Sequence, residues 1–121
     1  MVWSMFHTLR RKAIYMFTHK DSSSLVVEAP FAQAYGAVVC ACDELGDVIA
    51  RNESAGYVSV SIGMQLFPPR NPVGVSIQIK KKTDTETEIT FAANAVDGLW
   101  NLGSGRKAIA EIVAGVERIL S

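Results

Sequence analysis

The stretch LVVEAPFAQAYGAVVCACDELG, residues 25 to 46, decides the fold class of this sequence. Its first five residues have the alternation of a short strand, which Pro30 ends while it sets the backbone for a helix start. After Pro30, apolar side chains recur at the alternating spacings of one buried helix face. These side chains are Phe31, Tyr35, Val38, Cys42 and Leu45. Gly46 is placed to close the helix in a left-handed cap, so the stretch predicts a strand and then a helix that packs on a sheet.

After Gly46 the hydrophobic period changes from that of a helix to that of strands. Residues 48 to 51 and 57 to 64 surround a turn over residues 52 to 56, and together they predict a hairpin. Residues 67 to 72 include three prolines, which remove backbone donors, so this segment predicts a loop.

Two more strands and a helix are predicted in the rest of the chain. Residues 73 to 79 and 89 to 93 alternate in hydrophobicity on either side of a charged turn over residues 80 to 86. The last segment has helical spacing and is predicted to be helical at least from Gly105. Its apolar stripe contains Leu99, Leu102, Ile109, Val113, Val116 and Leu120.

The N-terminal segment has a different pattern. Over residues 2 to 17, Trp3, Phe6 and other apolar side chains lie close to one stripe, with three basic residues between them, which predicts an amphipathic helix. Residues 18 to 24 have no apolar period and predict a linker. We therefore expect an N-terminal helix and linker over residues 1–23 and a single α+β domain over residues 24–121.

The element order is thus an optional helix followed by β-α-β-β-β-β-α. A four-strand meander between two helices predicts an α+β fold with a curved antiparallel sheet. Both helices are expected on one face of that sheet, with their apolar stripes against its inward side chains.

Composition and charge exclude several classes of function. Twelve basic and twelve acidic side chains give the 121 residues a formal charge of zero, which provides no field to attract nucleic acid. The longest apolar run, residues 34 to 42, is too short for a transmembrane helix.

The cysteines and histidines predict a reduced, metal-free protein. Cys40 and Cys42 lie two residues apart on a predicted helix, point in different directions and cannot form an ordinary disulfide with each other. Reduced thiols favour a cytoplasmic location, and basic residues that follow the first apolar ones are in the wrong order for export. His7 and His19 have no ligand partners at suitable spacings, so neither a metal site nor a cofactor is predicted.

The segment over residues 24 to 31 enters its helix through Ala29-Pro30, which looks like the opening of many helix-grip domains. With the element order, it makes residues 24 to 121 similar to the TATA-binding-protein-like and helix-grip (START/Bet v1-like) architectures. In these architectures a long C-terminal helix lies across a curved antiparallel sheet. The sequence DGLWN, residues 97 to 101, also resembles a stretch before the last helix of small uncharacterised bacterial domains.

The helix-grip resemblance implies a ligand site between the sheet and the last helix. Trp100, with Asp97 and Asn94 close in sequence, is placed to line its mouth, although an aromatic side chain there can instead plug the end of the core. Arg106 lies in GSGRK, residues 103 to 107, which opens a helix either as an anion site or with solvated basic residues. The predicted ligand-binding residues are Asn94, Asp97, Trp100 and Arg106.

The leading functional hypothesis is a non-enzymatic domain that binds a small apolar ligand or a second copy of itself through the N-terminal helix. That helix can fold back on its own domain, cross to another subunit or lie at a membrane surface. The alternative is an enzyme whose site forms only in the fold, with Asn94, Asp97 and Arg106 as candidates. Nucleic-acid binding comes third, because Ser59, Ser61 and Ser76 on the sheet offer no cation.

Overall fold

A computed structural model of the chain describes residues 16–19, 22–66, 69–95 and 103–121. In chain order its elements are β1 (Met16–His19), β2 (Ser22–Val27), α1 (Phe31–Leu45), β3 (Asp47–Asn52), β4 (Tyr57–Ile62), β5 (Gln65–Leu66), β6 (Pro69–Arg70), β7 (Val73–Lys81), β8 (Thr87–Ala95) and α2 (Ser104–Leu120). Six strands form an antiparallel sheet in the order β1-β2-β8-β7-β4-β3, and β5 pairs with β6 separately. The predicted α+β class is confirmed.

The alternation of the strands divides the sheet into a buried and an exposed face. Along β7, Val73, Val75, Ile77 and Ile79 are buried, while the residues between them are exposed. Both helices pack on the buried face, as predicted, and contribute fully buried side chains such as Val38 and Ile109 to one core. Phe91 and Ile112 meet in the same core, so the space between the sheet and the middle of α2 is filled by side chains.

The predicted apolar stripe of α1 is buried at its centre. Tyr35, Val38 and Cys42 are buried, and Phe31 and Leu45 at the two ends are half-buried against the core. The middle of the helix therefore packs most deeply on the sheet.

The cap of α1 differs from the prediction. Gly46 has φ −170° and ψ −152°, which is extended backbone rather than the left-handed region. Its N–H still donates to the Cys42 carbonyl at 2.9 Å. A Cβ at Gly46 would clash with the Ser61 carbonyl oxygen, so glycine is needed here because β4 passes close to the backbone.

The N-terminal part of the sheet also differs from the sequence-based expectation. Residues 18 to 24 were expected to form a linker, but β1 and the start of β2 lie here and pair with each other. The first residues of β2 also pair with β8, with Ser22 opposite Ala92. Backbone pairing with a strand distant in sequence replaces local turn structure in this serine-rich segment.

Met16 and Phe17, the last two residues of the helix predicted over residues 2 to 17, lie in strand β1, so the prediction is wrong for them. The remainder of the N-terminal prediction is not tested by these strands. The part of the predicted helix before Met16 lies outside the described residues, and the division of the chain at residue 23 stays a prediction. The main sheet nevertheless includes residues before 24.

The proline-rich segment is more ordered than a plain loop. Residues 65–66 and 69–70 pair in a two-stranded ladder that is separate from the main sheet. The prolines do exclude the segment from the main sheet, as predicted, but a short edge ladder tolerates them.

Candidate functional site

The start of α2 lies at the end of the core that the sequence singled out. The Asn71 N–H donates a hydrogen bond to Ser104 Oγ at 2.8 Å, which fixes the first turn of α2 beside the start of β7. Val73, the first residue of β7, pairs with Ala95, the last residue of β8. The beginning of α2 and the end of β8 therefore lie at the same end of the molecule, and residues 96–102 connect them.

Small side chains are concentrated at this end of the core. Ala93 and Ala95 of β8 are half-buried against the core, and Gly105 and Ala108 of α2 are buried. Further along, β8 and α2 contribute larger side chains that are fully buried, such as Phe91 and Ile112. We call the end defined by Ala93, Ala95, Gly105 and Ala108 the alanine end. Valines of the neighbouring strand also lie at this end, since Val73 and Val75 are buried and pair with Ala95 and Ala93.

The structure places two of the four predicted site residues. Asn94 is exposed and lies between Ala93 and Ala95, so its side chain is on the sheet face that points away from α2. Arg106 is exposed on the first turns of α2. Asp97 and Trp100 lie outside the described residues. Asn94 and Arg106 are therefore near the same end of the molecule but on different sides of the sheet.

One charged pair that no sequence pattern indicates joins β6 to α2. Arg70 is 8% exposed, and its Nη1 donates to Glu111 Oε1 at 2.5 Å. Its Nη2 also lies 3.4 Å from the Gly63 carbonyl oxygen, while Nε has no partner among the described residues. Arg70 stands between prolines and has no periodic pattern around it, so only the fold identifies it. Its position indicates a structural role, because its ion pair with Glu111 connects the β5–β6 ladder to α2.

The two cysteines have different surroundings, and the buried one does not support a nucleophile. Cys42 is fully buried, as its place on the predicted stripe indicates. Burial, and to a smaller extent the negative charge of Asp43, raise the pKa of the Cys42 thiol to about 12. A thiol that stays protonated in this way is a poor nucleophile and metal ligand. Cys40 is exposed, and both cysteines are free.

A described depression lies elsewhere, between α1 and β3. It is an open groove of about 600 Å³. Its walls are formed by Tyr35, Gly36, Val39, Cys40, Asp43, Glu44, Arg51 and Glu53. Both signs of charge are present at its rim, and its open shape leaves a bound molecule in contact with water. Such a groove offers less burial than the concave sites that hold small ligands.

Two further chemistries find no support in the described part of the chain. Across residues 16–19, 22–66, 69–95 and 103–121, no three His, Cys, Asp or Glu side chains are grouped as metal ligands would be. Neither α1 nor α2 has the length and apolarity that a membrane-spanning helix requires.

The solved structures that are similar to this chain include the following two. The di-domain ARO/CYC StfQ from the steffimycin biosynthetic pathway is 11% identical over 80% of this chain, with a TM-score of 0.61. The match covers 43% of StfQ, so this chain spans less than half of that protein's length. TTHA0849 from Thermus thermophilus is 8% identical, with 82% of this chain and 94% of that chain covered and a TM-score of 0.41. No protein-family model and no curated protein matches the sequence.

The likeness to StfQ concerns the fold alone. It supports the resemblance to the helix-grip architecture that the element order and residues 24 to 31 suggested. The described part of the chain is therefore an α+β fold with two helices on one face of an antiparallel sheet, and this fold resembles the helix-grip architecture.

Proposed function

We propose that this chain is a non-enzymatic binding domain whose ligand is a small apolar molecule held at the alanine end. The observation that supports this most directly is the change in side-chain size along the core. Phe91 and Ile112 are fully buried in the middle, whereas β8 and α2 contribute the smaller side chains of Ala93, Ala95 and Ala108 near the start of α2, and we infer the ligand space from this difference in side-chain volume. A concave, mostly apolar space with a few polar groups at its mouth is the usual form of a small-ligand site.

The connecting segment completes this proposal. Residues 96–102 join β8 to α2 in the sequence, and the proposal keeps Asp97 and Trp100 from this segment as ligand-binding residues. Their proposed roles are an apolar ring against the ligand for Trp100 and a polar contact for Asp97. Arg106, exposed on the same helix, provides a cation for a ligand with a carboxylate or another anionic group.

The structural likeness adds support at the level of architecture. StfQ, described as an ARO/CYC di-domain of a biosynthetic pathway, has a fold like this one. A helix-grip-like arrangement can hold a small molecule between sheet and helix, but a fold by itself does not define a function. The free cysteines favour the cytoplasm as the location of this domain.

The enzyme alternative has less support from the described residues. Its candidates were Asn94, Asp97 and Arg106, and the sheet lies between the side chains of Asn94 and Arg106. A shared reaction centre needs its groups within hydrogen-bond reach of the same atoms. Nucleic-acid binding remains the third candidate, since Ser76 and its neighbours on the exposed sheet face bring no positive charge.

A substitution that fills the proposed site with a larger side chain tests the proposal. Ala95→Leu should occupy the room beside α2 and weaken the binding of an anilinonaphthalene sulfonate dye at least about fivefold, because the added methyl groups displace ligand atoms. Ala92→Leu is the matched control, since Ala92 lies on the same strand but is exposed on the opposite face. The dye titration is read by fluorescence, and native mass spectrometry of protein purified without denaturation shows any retained ligand.

Either of two results would overturn the proposal. Wild-type protein that binds no dye and carries no small molecule has no apolar site of this kind. Equal loss of dye binding in Ala92→Leu and Ala95→Leu would show that the dye does not bind specifically at the alanine end. Cooperative urea unfolding of both variants must accompany the titration, because a loosely packed core also binds such dyes.

A further inference from the structure

Ser23 on β2 has a buried hydroxyl group with no hydrogen-bond partner among the described residues. The residue is 2% exposed and, like the buried Leu25 two positions later, it lies on the core face of β2. A hydroxyl that leaves water without a new partner costs free energy, and buried polar groups in native proteins are almost always hydrogen-bonded. The unpaired hydroxyl of Ser23 therefore needs a physical explanation.

The other buried polar residues show that this is not a general feature of the core. Four polar residues are buried in the described part of the chain, namely Ser23, Arg70, Thr87 and Ser104. Thr87 Oγ1 donates to the Ala29 carbonyl at 2.7 Å. Arg70 and Ser104 make the hydrogen bonds to Glu111 and Asn71 described above. Within this group, Ser23 alone has a side chain with no hydrogen bond to a described residue.

The pairing of β2 with β8 places Ser23 beside the alanine end. Ser23 lies opposite Phe91, and Ala93 follows Phe91 by two residues, so the three side chains are on the same face of the sheet. Diagonal neighbours such as Ser23 and Ala93 are about 7–8 Å apart. A molecule that contacts Ala93 from the core side is therefore within reach of the Ser23 hydroxyl.

The apolar surroundings of Ser23 make its hydrogen bonding selective. Phe91 opposite it and Leu25 along its own strand are fully buried apolar side chains. A hydrogen bond is strong in such an environment, and an unpaired polar group there is costly. A serine hydroxyl can donate and accept, so either a carbonyl or a hydroxyl oxygen satisfies it, whereas a hydrocarbon leaves it unpaired.

We propose that Ser23 is a ligand-binding residue of the alanine end and that the ligand carries a hydroxyl or carbonyl oxygen that hydrogen-bonds to Ser23 Oγ. Such a contact rests on the function proposed above for the alanine end. It narrows the ligand from any small apolar molecule to a mainly apolar one with an oxygen on its buried part. That oxygen supplies the hydrogen bond that the described residues of the protein do not provide.

Two probes of the same shape test this contact. p-Cresol and p-xylene differ only by a hydroxyl in place of a methyl group, and calorimetric titration gives the dissociation constant of each for wild type and Ser23→Ala. Loss of the hydrogen bond should lower the affinity for p-cresol relative to p-xylene about fivefold. The ratio of the two affinities is compared because general changes in packing affect both probes alike.

Ser24→Ala is the matched control. Ser24 is the next residue on β2, but its side chain is on the opposite face, where its Oγ lies 3.5 Å from Thr90 Oγ1. This substitution should change the affinity ratio less than about twofold. In the absence of any probe, Ser23→Ala should raise the urea midpoint by about 0.5 M, because it removes an unpartnered buried hydroxyl.

Three outcomes would overturn the role of Ser23. An unchanged affinity ratio in Ser23→Ala, with both probes weakened by Ala95→Leu, would leave the proposed site in place and remove Ser23 from it. A lower urea midpoint for Ser23→Ala would show that the hydroxyl has a partner within the protein. If wild type bound neither probe, or if Ala95→Leu left both affinities unchanged, the proposed function would itself fail, and the ligand contact of Ser23 with it.

Discussion

At the scale of single residues, the buried Cys42 thiol is expected to make the stability of the fold depend on pH. Its folded-state pKa of about 12 lies above the ordinary value of 9.0, so the folded chain keeps the thiol proton at pH values where the unfolded chain releases it. The stability associated with the protonated thiol is therefore complete below about pH 9 and is lost as the pH rises toward 12.

We predict that the free energy of unfolding depends on pH differently in the wild type and in Cys42→Ala. The free energy of unfolding of the wild type should fall relative to the variant by up to about 1.4 kcal/mol per pH unit above pH 9. Urea unfolding of both proteins at several pH values between about 8 and 10.5 measures this. All other titratable groups are the same in both proteins, so their contributions to the difference largely cancel. A difference that stays constant with pH would show that the Cys42 thiol is not protected.

At the scale of elements, Arg70 and Glu111 join the β5–β6 ladder to α2 with unequal burial. The Arg70 side chain is 9% exposed and that of Glu111 is 38% exposed. Glu111→Ala leaves a buried cation without its carboxylate and should lower the free energy of unfolding by about 3–5 kcal/mol. Arg70→Met leaves a carboxylate that water reaches, and a loss of roughly 1–2 kcal/mol is expected.

The comparison pair for this experiment is Arg118 with Glu44, which joins the two helices. Its side chains are 63% and 48% exposed, so Arg118→Met should cost less than about 1 kcal/mol. Urea unfolding of the three variants gives the order. If Glu111→Ala were as mild as Arg118→Met, Arg70 would have other partners in solution and the connection between ladder and helix would be wrong.

The same elements show where local sequence predicts structure. The spacing of apolar residues predicted α1 and α2 because the residues that form one face of a helix are only three or four positions apart in the sequence. Residues 22 to 24 are serines, and composition alone suggested a linker, because the partner that makes them a strand is β8, more than sixty residues away. The extended Gly46 has a similar origin, since the Ser61 carbonyl that requires glycine belongs to another strand.

At the scale of the whole molecule, the sequence predicted where the candidate site lies better than it predicted which residues form it. The order of elements placed it between the end of β8 and the start of α2. The alternation along β8 also contained a signal that Asn94 points outward, since it is three residues from buried Phe91. Nothing in the sequence indicated that small side chains gather at the alanine end, because Ala93 and Ala108 become neighbours of the same core only through folding.

The topology predicts that the described part of the chain unfolds as one cooperative unit. β2, from the first quarter of the chain, is inserted between β1 and β8, and its Leu25 shares one core with Ile112 of α2. Unfolding α2 or β2 alone would uncover fully buried side chains of the other elements. Far-UV circular dichroism and tyrosine fluorescence should therefore report one coincident urea transition.

Substitutions at distant elements test this coupling. Leu25→Ala and Ile112→Ala should each lower the free energy of unfolding by about 2–5 kcal/mol and shift both signals together, since each leaves a cavity in the shared core. Ile49, which is 65% exposed on the edge strand β3, is the control, and Ile49→Ala should change the midpoint little. Separate transitions for the two probes in Ile112→Ala would mean that α2 detaches before the sheet opens, and that the core consists of two units instead of one.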